Sequence, residues 1–244
     1  MPTVSVQDIT MYYEIHGQGE PVVLIAGLNS DHTLYQKLGL VARLAERYQV
    51  VVFDNRGVGQ TDKPDSPYSI EMMAEDTAGL LSALGITQAH LLGTSMGGRI
   101  AVALVLQHPS LVKSLILVST IVKSLKETPM TWSRFWVNFL LKLPMIRGPH
   151  PYHAIAQQLE ASRTYDCMDR LNEIHVPTLI LHGKKDKSAP YHLAEAMHSG
   201  IKDSHMLTFP GGHIFFLLRQ KQFLEVIADF FGIDDALIDR DALL

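Results

Sequence analysis

Ala89-His90-Leu91-Leu92-Gly93-Thr94-Ser95-Met96-Gly97-Gly98-Arg99-Ile100-Ala101-Val102-Ala103-Leu104-Val105 decides the reading of this chain. It begins as an apolar, strand-like run and ends with helical spacing. Between the two lies Gly93-x-Ser95-x-Gly97. A Gly-x-Ser-x-Gly turn from strand to helix lifts a serine hydroxyl to the top of a sheet. Small neighbours let the chain turn tightly and hold Ser95 in a strained conformation. The following helix aims free N–H groups and its positive dipole end at the same point. The bland alternative is a tight turn with an incidental serine. Chance supplies the bare pattern in roughly a tenth of chains this long, so the strand, the helix and the residues downstream carry the weight.

The 244 residues allow one domain with a full core, or one domain with a small insertion. A formal net charge of −4 gives no basic field of the kind a nucleic acid needs. The single cysteine, Cys167, excludes an intrachain disulfide and fits a reducing compartment. The start, Met1 to Val6, lacks a charged segment followed by an apolar one, so no signal peptide is expected. The longest apolar runs, such as Leu111 to Thr120, are interrupted by Lys113 and Ser114, so no membrane span is expected. The expectation is a soluble, cytoplasmic protein, monomeric or homodimeric.

Working outward, Val4 to Val6 and Ile9 to Ile15 read as an opening hairpin. Val22 to Ala26, Val50 to Phe53, Leu115 to Val118 and Thr178 to Leu181 are continuous apolar runs, as in strands buried on both faces of a parallel sheet. Helix-period segments lie between and after them: Leu34 to Tyr48, Ile70 to Leu84, Arg99 to Gln107 and Phe215 to Phe231. The alternation predicts a doubly covered α/β sheet. From Ile121 to Arg163 the chain is helix-like without a strand companion and reads as a short insertion over the sheet. The acidic tail, Asp234 to Leu244, reads either as a docked final turn or as a frayed end.

A serine is a poor nucleophile unless a base takes its proton. Pro210-Gly211-Gly212-His213 places a histidine on a loop after the strand-like run His205 to Phe209. The other histidines weighed against it belong to strands, flank strands or sit at a helix end. An imidazole base needs a carboxylate to fix its tautomer. Asp186 is the only acid in the loop Gly183 to Pro190, and its plainer reading is pairing with Lys184, Lys185 or Lys187. The other position for an acid, after the preceding strand, holds Ser119-Thr120-Ile121 and no carboxylate. Catalytic candidates in chain order are Ser95, Asp186 and His213. Oxyanion donors are expected at the backbone N–H of Met96 and of Leu28, the latter in the turn Ala26-Gly27-Leu28-Asn29-Ser30. The Asn29 side chain either assists or does ordinary turn chemistry, the second being favoured.

Together these residues resemble the α/β-hydrolase superfamily, over nearly the whole chain outside the insertion and tail. Gly93 to Gly98 resembles its nucleophile elbow, and Asp186 to Pro190 its acid loop. Asp54-Asn55-Arg56-Gly57-Val58-Gly59-Gln60-Thr61 resembles its Asp-x-Arg-Gly-x-Gly-x-Ser/Thr loop, where Asp54 and Arg56 are expected to stabilise the loop rather than touch substrate. The resemblance implies a mostly parallel central sheet of about eight strands with helices on both faces. It implies a core over 1–120 and 166–244 and a short helical cap over 121–165. One departure is Ala26-Gly27, where the family usually has His-Gly. The donor there is a backbone group, so the oxyanion hole is kept while the histidine's supporting contacts are lost.

The resemblance implies a serine hydrolase for an ester or lactone. Trp132, Phe135, Trp136 and Phe139, spaced i, i+3 and i+4, present an aromatic face that either roofs an acyl pocket or merely packs the insertion onto the body. A roof of this kind favours small to medium apolar acyl groups. Lys123, Lys126, Arg134, Lys142 and Arg147 make the insertion basic, either as a solvated face or as an attraction for a carboxylate-bearing substrate. The wider pattern also resembles 3-oxoadipate enol-lactonase-like chains. Carbon–carbon hydrolases, peroxidase-like members, acyltransferases and a slow-turnover receptor on the same fold are the remaining alternatives. No metal or cofactor is expected: the histidines lack ligand spacing and Gly57-x-Gly59 lacks a phosphate cradle's third glycine.

Overall fold

A computed structural model of the protein describes residues 2–125 and 150–233. Trp132, Phe135, Trp136 and Phe139, the basic residues from Lys126 to Arg147, and the acidic tail lie outside the described residues, as does most of the expected cap.

Eight strands form one sheet in the order β1-β2-β4-β3-β5-β6-β7-β8. The hairpin β1 (Thr3–Val6) and β2 (Ile9–His16) is antiparallel and joins β4 antiparallel at one edge. The other six run parallel: β3 (Glu20–Ile25), β4 (Tyr48–Phe53), β5 (Ala89–Thr94), β6 (Val112–Val118), β7 (Thr178–Gly183) and β8 (Ser204–Phe209). The sheet is therefore mostly parallel and covered on both sides. In β6, Leu115 and Leu117 pack into one core while Ile116 and Val118 pack into the other. Such two-faced burial explains why the central strands read as continuous apolar runs rather than as alternation.

Helices α3 (Ile70–Ala83) and α4 (Met96–Gln107) cover one face, with α6 (Tyr191–Gly200) continuing that layer. Helices α1 (Thr33–Lys37), α2 (Leu40–Leu44), α7 (Phe215–Leu218) and α8 (Gln220–Phe230) cover the other. Two expected helices are each divided. The segment from Leu34 to Tyr48 breaks at Gly39, whose φ is 70°. The segment from Phe215 to Phe231 breaks at Arg219, between α7 and α8. Helix α6 had no place in the helix-period reading. Its buried side is only Ala194 and Met197, too thin a stripe to stand out.

Helix α5 (Tyr152–Thr164) lies in the expected insertion. The chain leaves and re-enters the core there side by side. Cys167 N–H donates to the Val122 carbonyl at 3.0 Å, and Leu125 N–H to the Arg163 carbonyl at 2.9 Å. Arg99, buried on α4, donates to the carbonyls of Tyr165 at 3.2 Å and Lys123 at 3.4 Å. Burial pulls its guanidinium down to about 10, still cationic at neutral pH.

The loop after β4 is organised by charge, as expected of Asp54 and Arg56. Asp54 accepts the backbone N–H of His32 at 2.9 Å, its ring Nδ1–H at 2.7 Å and the Gln60 N–H at 2.7 Å. Arg56 is fully buried and forks onto Asp76 of α3, at 2.5 Å from Nε and 2.7 Å from Nη2. Near the end of β7, the buried His182 ring donates from Nε2 to the Ala189 carbonyl at 2.8 Å and so closes the following loop. Burial lowers the pKa of His182. Among the described residues, no helix is long and apolar enough to cross a membrane.

Two outcomes follow from these buried groups. Asp76→Ala strands the Arg56 cation with only the exposed Asp8 carboxylate, 3.0 Å from Nη2. Urea unfolding is expected to show a loss of about 3–5 kcal/mol. For His182, the unfolded ring protonates with its ordinary pKa of 6.5 while the folded ring takes up a proton only at lower pH. The unfolded chain then binds the extra proton, so this contribution to stability falls as pH drops through that value. Unfolding free energies of His182→Asn, measured between about pH 7 and pH 5, are expected to decline less steeply than those of the parent.

Candidate active site

The sheet order places β3 between β4 and β5, so the connections from β3 and β5 leave in opposite directions. Ligands in open α/β sheets bind at the carboxyl ends of strands at such a switch point. The turn after β3 carries Leu28, and the turn after β5 carries Ser95. A Cβ added to Gly27 would lie 3.1 Å from the Thr94 carbonyl oxygen and 3.4 Å from the Ser95 Cβ. On Gly97 it would fall on the Ile25 carbonyl oxygen. These two turns pack backbone against backbone.

Ser95 has φ 54° and ψ −114°. Its N–H donates to the Val118 carbonyl at 2.8 Å, and its own carbonyl accepts the Gly98 N–H at 3.0 Å and the Thr120 hydroxyl at 2.6 Å. Its side chain is free to point away from the helix. The Ser95 Oγ lies 3.0 Å from His213 Nε2, and His213 Nδ1 lies 2.8 Å from Asp186 Oδ2. Three residues distant in the chain thus form one hydrogen-bonded row. Because a carboxylate only accepts, Nδ1 carries the proton and Nε2 faces the serine as an acceptor. A row of this kind can take a proton from a hydroxyl as that oxygen attacks an electrophile.

Each member of the row is braced. The other Asp186 oxygen accepts the N–H groups of Ser188 at 2.8 Å and Ala189 at 2.9 Å. The Asp186 side chain is fully buried, whereas that of His213 keeps 15% exposure. The histidine's carbonyl accepts the Ser119 hydroxyl at 2.7 Å. Ser119 and Thr120, which sequence reasoning registered only as the absence of an acid, therefore hold the backbones of His213 and Ser95. The one available signal was a pair of hydroxyls at the end of a buried strand.

The Gly27–Ser30 turn is closed by Ser30 N–H donating to the Gly27 carbonyl at 3.1 Å. Among the described residues, neither the Leu28 nor the Met96 N–H has an acceptor. Asn29 has φ 57° and is buried. At Ala26, the position where the family usually carries histidine, the Asn55 amide donates to the backbone carbonyl at 3.1 Å. Nearby, burial would lower the His32 pKa, but the Asp54 hydrogen bond and the charges of Asp54, Glu14 and Asp31 outweigh it and raise it. Among the described residues, no group of three or more His, Cys, Asp or Glu could hold a metal ion.

Known proteins resemble this chain in sequence and fold. A relative from Azorhizobium caulinodans, named as a carbamate hydrolase, RutD, is 28% identical over 263 residues, spanning 95% of this chain and 98% of its own. The structure of an esterase, EaEST, from Exiguobacterium antarcticum superposes with a TM-score of 0.81 at 28% identity, covering 93% of this chain and 98% of the other. The enol-lactonase from Burkholderia xenovorans LB400 superposes with a TM-score of 0.84 at 24% identity, a likeness of fold, covering 95% of this chain and all of the other. The family model for the alpha/beta hydrolase fold matches residues 20–148, more than half the chain, and the protein belongs to that family.

Proposed function

We propose that this hydrolase-family protein cleaves carboxylic esters through an acyl-enzyme on Ser95. The observation that carries the reading is the continuous row Ser95–His213–Asp186 at the switch point of the sheet. Ser95 Oγ attacks the acyl carbonyl as its proton passes to His213 Nε2. The carbonyl oxygen becomes an oxyanion and takes hydrogen bonds from the Leu28 and Met96 N–H groups. Collapse of the tetrahedral intermediate expels the alcohol, which takes the proton back from His213. Water then repeats the sequence in reverse, with His213 as base, and releases the acid. Asp186 holds the His213 tautomer and stabilises the imidazolium that forms twice per cycle.

The oxyanion donors are backbone groups, so they need no side-chain reorganisation as charge develops. Losing one typically costs about 3–4 kcal/mol of transition-state stabilisation. The same chemistry applies to lactone and carbamate carbonyls. The 28% identity with the esterase EaEST supports the ester reading, and the equal identity with the carbamate hydrolase RutD makes a carbamate carbonyl the second reading. Small to medium apolar acyl groups are the proposed substrates, with Trp132, Phe135, Trp136 and Phe139 proposed as the acyl roof and Asn29 as a contact at the turn.

Two measurements test this. Ser95→Ala is expected to lower kcat on p-nitrophenyl esters by about a thousandfold or more. It should also abolish labelling by a phosphonate that forms a one-to-one adduct with the parent. Full activity in the variant would discard the mechanism. For the acyl class, kcat/KM across p-nitrophenyl esters from acetate to decanoate is expected to peak at short to medium chains. Absence of any turnover, with tight binding of a small molecule, would favour a receptor instead.

A further inference from the structure

Helix α5 buries a single stripe, Ala154, Gln158 and Ala161, at positions i, i+4 and i+7. Two of the three are alanines, and the glutamine between them is fully buried. A buried primary amide is unfavourable unless it is hydrogen-bonded. Here Oε1 accepts the Asn29 N–H at 3.0 Å, and Nε2 donates to the Arg56 carbonyl at 2.8 Å. One side chain thus joins the turn after β3 to the loop after β4.

The first of those partners is the telling one. Within the closed Gly27–Ser30 turn, the third residue, Asn29, has φ 57°, and Leu28 does not share the positive φ. That combination marks a type II turn. Types I and II differ by a flip of the central peptide, here Leu28–Asn29. An L-residue pays a steric penalty at positive φ, so the type I arrangement is a near competitor. Gln158 grips the N–H of the central peptide itself and so selects the flip. A reversed peptide would aim the Leu28 carbonyl, rather than the Asn29 N–H, at Gln158 Oε1 and so unseat the turn that carries the Leu28 N–H. Other contacts seat α5 on the same loop. His150 Nδ1 accepts the Gly59 N–H at 3.2 Å, and a Cβ on Gly57 would lie 3.2 Å from that of Ala154.

We propose that Gln158 is a positioning residue that locks the oxyanion turn in its type II form and so makes turnover depend on the seating of α5. The inference rests on the ester-hydrolysis reading above. Gln158→Met keeps the side chain's length and removes both hydrogen bonds. Its kcat on p-nitrophenyl butyrate is expected to fall about tenfold. KM should stay within about twofold of the parent, because substrate binding is not what the turn supplies. Affinity for a trifluoromethyl ketone, whose serine adduct bears an oxyanion, should fall by the same factor as kcat/KM.

Gln158→Glu gives a second, independent readout. Burial raises the pKa of a carboxyl group. Protonated, the new side chain can accept from Asn29 and donate to Arg56. Ionised, it still accepts from Asn29 but sets a carboxylate against the Arg56 carbonyl oxygen, which repels it and unseats α5 from the loop. Its kcat should therefore decline on the alkaline side, where the parent and Gln158→Met do not, and this readout decides if the methionine variant fails to fold. Unchanged kcat and ketone affinity in folded Gln158→Met, or a Gln158→Glu pH profile parallel to the parent's, overturns the inference. Ser95→Ala assayed alongside separates the two claims. If it is inactive while Gln158→Met is unaffected, only the role of Gln158 falls; if it is active, the ester reading falls and takes this one with it.

Discussion

Ser95 sits in a conformation that side-chain-bearing residues avoid, and the rest of the site depends on its staying there. Strain of this kind amounts to about 1–3 kcal/mol. Three hydrogen bonds oppose its release: the Ser95 N–H to Val118, and the Gly98 N–H and Thr120 hydroxyl to the Ser95 carbonyl. At about 1 kcal/mol net each, they match the strain. The steric term is larger. Gly97 and Gly27 allow the ends of β3 and β5 to touch through backbone alone. The close pairing of β3 and β5 thus leaves little room for the turn to relax.

The polar braces follow from that contact. The hydroxyls of Ser119 and Thr120, consecutive at the end of β6, reach to opposite sides, one to the His213 carbonyl and one to the Ser95 carbonyl. Asn55 steadies Ala26, and Asp54 anchors His32 and Gln60 beneath the same rim. Nearly every support ends on a main-chain group rather than on a reacting side chain. Fixed dipoles of this kind need little reorganisation when charge appears, which is how a catalytic site gains most from a low-dielectric surround.

The central strands were legible because burial on both faces forces uninterrupted apolar runs, as in Val50 to Phe53. The identities of Ser95, Asp186 and His213 were legible because each occupies a loop with its own local chemistry: small neighbours, a lone acid, a diglycine. What stayed hidden acts through meetings between remote segments. Gln158 bonds to a group 129 positions away, and Ser119 to one 94 positions away. No local pattern announces such a partner. Gln158 left a faint trace as the one long polar side chain between two alanines on a helix's buried stripe. The breaks at Gly39 and Arg219 were missed because apolar periodicity continues through them and only the backbone changes direction.

The paired strands of chain at Val122–Leu125 and Arg163–Cys167, pinned by Arg99, have an evolutionary consequence. Ends already held together make the intervening sequence a replaceable module. Doubling its length adds only about 0.6 kcal/mol of closure entropy. What hangs from this hinge post can therefore change in length and sequence at little entropic cost, so long as the α5 stripe that seats on the turns after β3 and β4 is kept.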